Sequence, residues 1–129
     1  MSTAYWCVLA AAFLPYVWTV IAKRAGGRRY DNRDPRGWLA RQDSPVTIRA
    51  NGSQLNAFEA FAPFAAGVLM AQLAGVAVGT INTLALAFVA FRILHGIFYL
   101  TGWHYLRSAT WAAGYACVVI LIVNAARAI

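Results

Sequence analysis

Residues 49–64 read Arg-Ala-Asn-Gly-Ser-Gln-Leu-Asn-Ala-Phe-Glu-Ala-Phe-Ala-Pro-Phe. The stretch opens polar, closes apolar, and holds Glu59, the only glutamate in the chain. Residues 60–79 follow with Gln72 as their one strongly polar side chain. A helix of that length crosses a bilayer. Asn56 and Glu59 lie three apart and share one helical face at the polar edge of this span. An ionisable group there is costly and marks a functional site by default.

Working outward, the composition agrees with a membrane chain. The 129 residues are 61% hydrophobic and 12% charged, against about 25% charged in an average soluble protein. The net charge of +7 is concentrated, because Lys23, Arg24, Arg28, Arg29, Arg33, Arg36, Arg41 and Arg49 lie within one segment together with Asp31, Asp34 and Asp43. A basic loop beside membrane spans is a topology signal that also meets anionic lipid, which outweighs a nucleic-acid reading. Cys7 and Cys117 sit in separate apolar runs, and no Cys/His spacing suits a metal. They read as buried, unreactive thiols.

The chain divides into four apolar runs, at about 4–22, 54–78, 81–100 and 105–127, in a single domain over 1–129. The expected fold is an all-α integral-membrane four-helix bundle. No basic residue precedes the first run and Lys23-Arg24 follows it, the reverse of a secretory leader. It reads as an uncleaved span with Pro15 as a kink site. Residues 24–48 form a long basic loop that is either mobile or shapes a site. Asp43 or Ser44 with Pro45 can start the second helix by capping logic, as can a later point near Asn51. Thr80, Asn82 and Thr83 suit a turn, and 101–104 a tight connection. Gly67, Ala71, Gly75 and Gly79 recur every fourth residue, a stripe that lets another helix approach closely.

The third run carries Arg92, His95 and Tyr99 on one face. Arg92 lies roughly 12 Å from the loop-side end, at 1.5 Å per residue, a depth matching Glu59. A buried charge needs a partner, so a direct Glu59–Arg92 pair is expected. Arg107 opens the fourth run, and Ser53, Gln54 and Asn56 add neutral hydrogen-bonding groups. Such a cluster either locks helices together or binds an anionic small molecule.

Arg49, Asn56 and Glu59 followed by Phe61-x-Pro63-Phe64 resemble the second-helix signature of the MAPEG family, the membrane-associated proteins in eicosanoid and glutathione metabolism. Residues 90–102 through Leu106-Arg107-Ser108 resemble its third-to-fourth-helix segment. The resemblance implies a homotrimeric bundle with glutathione as co-substrate, bound between neighbouring subunits near the cytoplasmic side. It implies glutathione contacts from Arg49, Gln54, Asn56 and Glu59, with Arg92 and His95 in the same cluster. Tyr99 matches a contacting tyrosine, and Arg107 the arginine that stabilises the thiolate; these two are the expected catalytic residues. Gly52 stands where some leukotriene-synthesising members carry a second arginine. The function implied is a glutathione transferase or peroxidase of the bacterial inner membrane, acting on hydrophobic electrophiles. Its rivals are a non-catalytic membrane protein, whose polar cluster fixes packing or binds lipid headgroups, and a small transporter. Against the transporter, Glu59 lies near a helix end and not at the midplane.

Positive-inside logic puts the 24–48 loop in the cytoplasm and both termini outside. Cysteines introduced at Gly27 and at Thr80 should therefore label from opposite sides of the membrane; labelling of both from one side would refute four spans.

Overall fold

The structure is a computed structural model that describes residues 1–27 and 29–129. Arg28, counted above in the basic run, lies outside the described residues. Five helices follow in order among the described residues: α1 (Ser2–Ala25), α2 (Pro35–Ala40), α3 (Pro45–Leu73), α4 (Val78–Thr101) and α5 (His104–Ala128). Helices α1, α4 and α5 are each long and apolar enough to cross a membrane. Helix α3 is the longest, with 29 residues. Its first half carries Arg49, Asn51, Gln54, Asn56 and Glu59, which dilutes its apolar character.

Local chemistry sets the helix ends. Ser44 caps α3 by accepting from the Thr47 N–H at 3.4 Å, with Pro45 in the first helical position. At its other end the Val76 N–H donates to Ala71 O and the Gly75 N–H to Gln72 O, both at 3.0 Å. Helix α4 ends in the same pattern, Trp103 N–H to Phe98 O and Gly102 N–H to Tyr99 O. These are Schellman closures, and each needs a left-handed residue, supplied by Gly75 (φ +76) and Gly102 (φ +79). The second helix therefore stops at Leu73, short of the expected 78, and Thr80, Asn82 and Thr83 belong to α4. Asn82 instead accepts from the Ala4 N–H at 3.1 Å, satisfying a donor at the start of α1. Nearby, the Tyr5 hydroxyl donates to Gln72.

The small-residue stripe is shorter than its spacing suggests, because Gly75 lies in the turn and Gly79 in α4. Gly67 and Ala71 remain on α3 and are buried. A Cβ on Gly67 would lie 3.4 Å from the Leu121 Cβ, so the stripe serves an α3–α5 contact within the chain. The core lies between the long helices, centred on Phe64 and Phe88, whose rings stack at 3.8 Å. Cys7 and Cys117 are both free and buried. Outside the core, Trp6, Phe13, Tyr16 and Leu73 are exposed, as expected of helices facing lipid or a neighbouring subunit.

The loop is built, not slack. Asp34 caps α2 by accepting from the Gly37 N–H at 3.0 Å. Trp38 is buried and donates its indole N–H to Arg29 O at 3.0 Å. Gln42 returns to Trp38 O, and the Thr47 hydroxyl reaches Ala22 O at 3.1 Å, tying α3 to the end of α1. The Arg33 guanidinium hydrogen-bonds Asp31 and holds its carboxyl below the usual range.

Helices α1 and α4 meet where Trp18 covers Gly96: a Cβ at Gly96 would overlap the buried indole. Gly96→Ala should destabilise the protein by about 1–3 kcal/mol, the range for overpacking, partly offset by roughly 1 kcal/mol of helix propensity. Trp18→Phe in the same chain should restore stability that the single substitution loses. Thermal unfolding of the four-member cycle measures this coupling.

Candidate functional site

Helix rotation decides which polar residues meet. At about 100° per residue, Gly52, Ser53, Asn56 and Glu59 fall towards one side of α3. On the opposing helices, Arg92, His95 and Tyr99 form a stripe on α4, and Arg107, Ser108 and Trp111 open α5. Asn56, His95, Tyr99, Arg107, Ser108 and Trp111 line a cavity of about 230 Å³.

Arg92 is 4% exposed and His95 3%, deep for such polar groups. The Arg92 Nη2 donates to Asn56 Oδ1 at 2.7 Å. Asn56 Nδ2 in turn faces Glu59 Oε2 at 3.5 Å. The expected direct Glu59–Arg92 pair is thus corrected to a relay. The reason is geometric: half-buried Asn56, one turn before Glu59, reaches Arg92, while Glu59 ends at the exposed surface of the chain. A carboxamide can accept from the guanidinium and donate to the carboxylate at once.

Tyr99 and Arg107 come together. The guanidinium carbon of Arg107 lies over the Tyr99 ring, 4.8 Å from its centroid, a cation–π contact. His95 packs edge-on against the same ring at 5.6 Å. Gly52 makes room on the other side: a Cβ there would lie 2.5 Å from the Tyr99 hydroxyl. The absence of a side chain at Gly52 is therefore what admits this tyrosine position. Three buried atoms on these helices have no hydrogen-bond partner among the described residues: Ser53 Oγ, Arg92 Nε and His95 Nδ1. Leaving such groups unmade is costly, which marks the region as one that a ligand or water completes.

Two expected members behave differently. Arg49 Nη1 donates to Leu100 O at 3.4 Å, so its cation sits on the carbonyl end of α4, where the helix dipole favours it. Gln54 is two residues from Asn56 and so faces the other way. It lines a separate cavity of about 590 Å³ with Lys23, Asn51 and Trp38. By sequence Trp111 reads as an interfacial aromatic near one end of its span; its place on the cavity wall is signalled only by its spacing of four from Arg107.

The MAPEG family model matches residues 3–127, nearly the whole chain, while no curated protein and no solved structure matches it. The chain belongs to the MAPEG family, and its apolar helices make it a membrane protein of that family.

The relay assigns different weights to its members. Asn56→Ala removes the partner of a buried guanidinium and should cost about 1.5–3 kcal/mol, the range for hydrogen bonds to charged groups. Glu59→Gln keeps Asn56 in place and should cost less than 1 kcal/mol, as for exposed charges (~0–1 kcal/mol). Denaturant unfolding in detergent checks the order; a larger loss from Glu59→Gln would restore the direct pair.

Proposed function

We propose that this protein is a glutathione-dependent transferase or peroxidase of the inner membrane that acts on hydrophobic electrophiles. It works as a homotrimer of four-span subunits with the thiol site between neighbours. The observation that carries this reading is the Arg107 guanidinium stacked on Tyr99 at a cavity beside the unpartnered His95 Nδ1.

The donor set fits a zwitterionic tripeptide. Arg107 offers a permanent cation, Glu59 an exposed carboxylate for an ammonium group, and Asn56 a carboxamide. Arg49 lies at the same end of the bundle, near Gly102. At about 230 Å³ the cavity falls below the ~300–1,000 Å³ usual for small-molecule sites. A site half-built by one chain and completed by another accounts for that size. Gln54, on the opposite side of α3, is then available to the neighbouring subunit's site.

Bound glutathione supplies the nucleophile, since the chain places no thiol in the cluster. The residues act on its protonation state. Arg107 lies in the first turn of α5, where backbone N–H groups add positive potential. Cation and helix end together favour the thiolate over the thiol. The Tyr99 hydroxyl can donate to the same sulfur. A second, structural reading draws on the Arg49–Leu100 and Arg92–Asn56 hydrogen bonds, which hold helices without any ligand.

Titration of thiolate ultraviolet absorbance in the saturated complex separates the two. The thiol should titrate below about pH 7, against about 8.5 for a free thiol, and Arg107→Ala should return it towards the free value. An unshifted thiol in the wild-type complex, or no glutathione binding, overturns the proposal.

A further inference from the structure

Helices α3 and α4 run antiparallel, and three contacts pin their register. Phe64 stacks on Phe88, Asn56 accepts from Arg92, and a Cβ on Gly52 would lie 2.5 Å from the Tyr99 hydroxyl. Ser53 is the next residue of α3, and this register sets it opposite the turn of α4 that holds His95 and Gly96. The layer is closed to solvent: Ser53 is 0% exposed and His95 3%. From the α1 side, Trp18 covers Gly96 and seals it.

Both residues carry an unmade bond. Thr19, Thr101 and Thr110 return their hydroxyls to carbonyls one turn back in their own helices, Pro15 O at 3.0 Å, Ile97 O at 3.0 Å and Leu106 O at 2.8 Å. Ser53 Oγ makes no such bond and is buried without a partner among the described residues. Of the two ring nitrogens of His95, Nδ1 is the one buried without a partner. The same residue lines the cavity beside Arg107. One edge of the imidazole thus belongs to the packed helices and the other to the cavity.

We propose that Ser53 is a positioning residue for His95: its hydroxyl donates to Nδ1 and fixes the neutral imidazole with its proton on Nε2, towards the cavity. Each group turns about its own side-chain bonds, and neither has another partner to give up. A neutral imidazole has one donor nitrogen and one acceptor. Were Nδ1 the donor, the serine proton would still lack an acceptor, which is costly in a buried place. A hydrogen bond at one ring nitrogen sets what the other can do. With Nδ1 held, Nε2–H is a donor aimed at any anionic group in the cavity. That use rests on the glutathione reading above; the bond between Ser53 and His95 does not.

The test uses the full chain in detergent without glutathione, so its outcome is separate from that reading. His95 and His104 are the only histidines, and His104→Gln leaves a single imidazole to observe. Nitrogen-15 NMR at about pH 8, where an ordinary imidazole is neutral, reads its tautomer. A single form with the proton on Nε2 is expected. Ser53→Ala should give a mixture of tautomers, and Ser53→Thr, which keeps the hydroxyl, should retain the single form. A mixture, or a proton on Nδ1, before any change at Ser53 overturns the proposal. So does a single Nε2–H form that survives Ser53→Ala. Thermal unfolding gives a second reading. Ser53→Ala should lower Tm by about 2–8 °C, and the same step in a His95→Phe chain should not. An unchanged or raised Tm for Ser53→Ala alone would show a hydroxyl that bonds nothing, and would overturn the proposal.

Discussion

The arrangement depends on how one guanidinium is kept inside the helices. Arg92 is almost completely buried, and its stem passes the Gly114 position of α5, 3.6 Å from where a Cβ would stand. A charge in that setting needs a partner that does not itself bring a second desolvated charge. Asn56 provides one at 2.7 Å. Its carboxamide then faces Glu59, so the carboxylate stays at the surface of the chain instead of being consumed inside it. Helices α3 and α4 are held in one relative rotation by this relay and by the Phe64–Phe88 stack, and the Arg92 stem against Gly114 sets α5 beside them. The same rotation brings Tyr99 and Arg107 together.

Helix α3 works on two sides at once. Towards α4 and α5 it presents Gly52, Asn56 and Glu59, beside a small polar cavity. Towards α1 and the loop it presents Asn51, Gln54, Leu55 and Phe58, beside a larger cavity with a cationic rim. The two differ in chemistry because their walls differ. The first is bounded by polar groups with unmade hydrogen bonds, the second by rings and aliphatic surface with cations at one end. The packed loop is what makes the second cavity exist, since Trp38, Tyr30 and Arg36 all come from it.

Much of the fold was legible in the chain because its causes are local. Lys23-Arg24 after an apolar run, Ser44-Pro45 before a helix, and Gly102 at a tight connection each act through bonds to near neighbours. Gly75 carried an equally local signal, but the apolar run continued past it, so hydropathy alone extended the helix to 78. The family followed from ordered polar residues, Arg49, Asn56 and Glu59, then Arg92, His95, Tyr99 and Arg107, and the match over residues 3–127 agrees with that reading.

By itself, then, the sequence determined the helical membrane class, the family and the position of the polar cluster along the helices. Spacing sets which residues share a face, and apolar length sets what can span a bilayer. Only the tertiary structure decided which face meets which neighbour. It gave Arg92 to Asn56, turned Gln54 away from the cluster, set Arg49 against the end of α4, and explained Gly52 by the hydroxyl of Tyr99. It also folded the basic loop into a wall. These outcomes depend on the rotation of each helix about its axis and on side-chain reach across an interface. Packing between distant segments fixes both, and no local pattern encodes them.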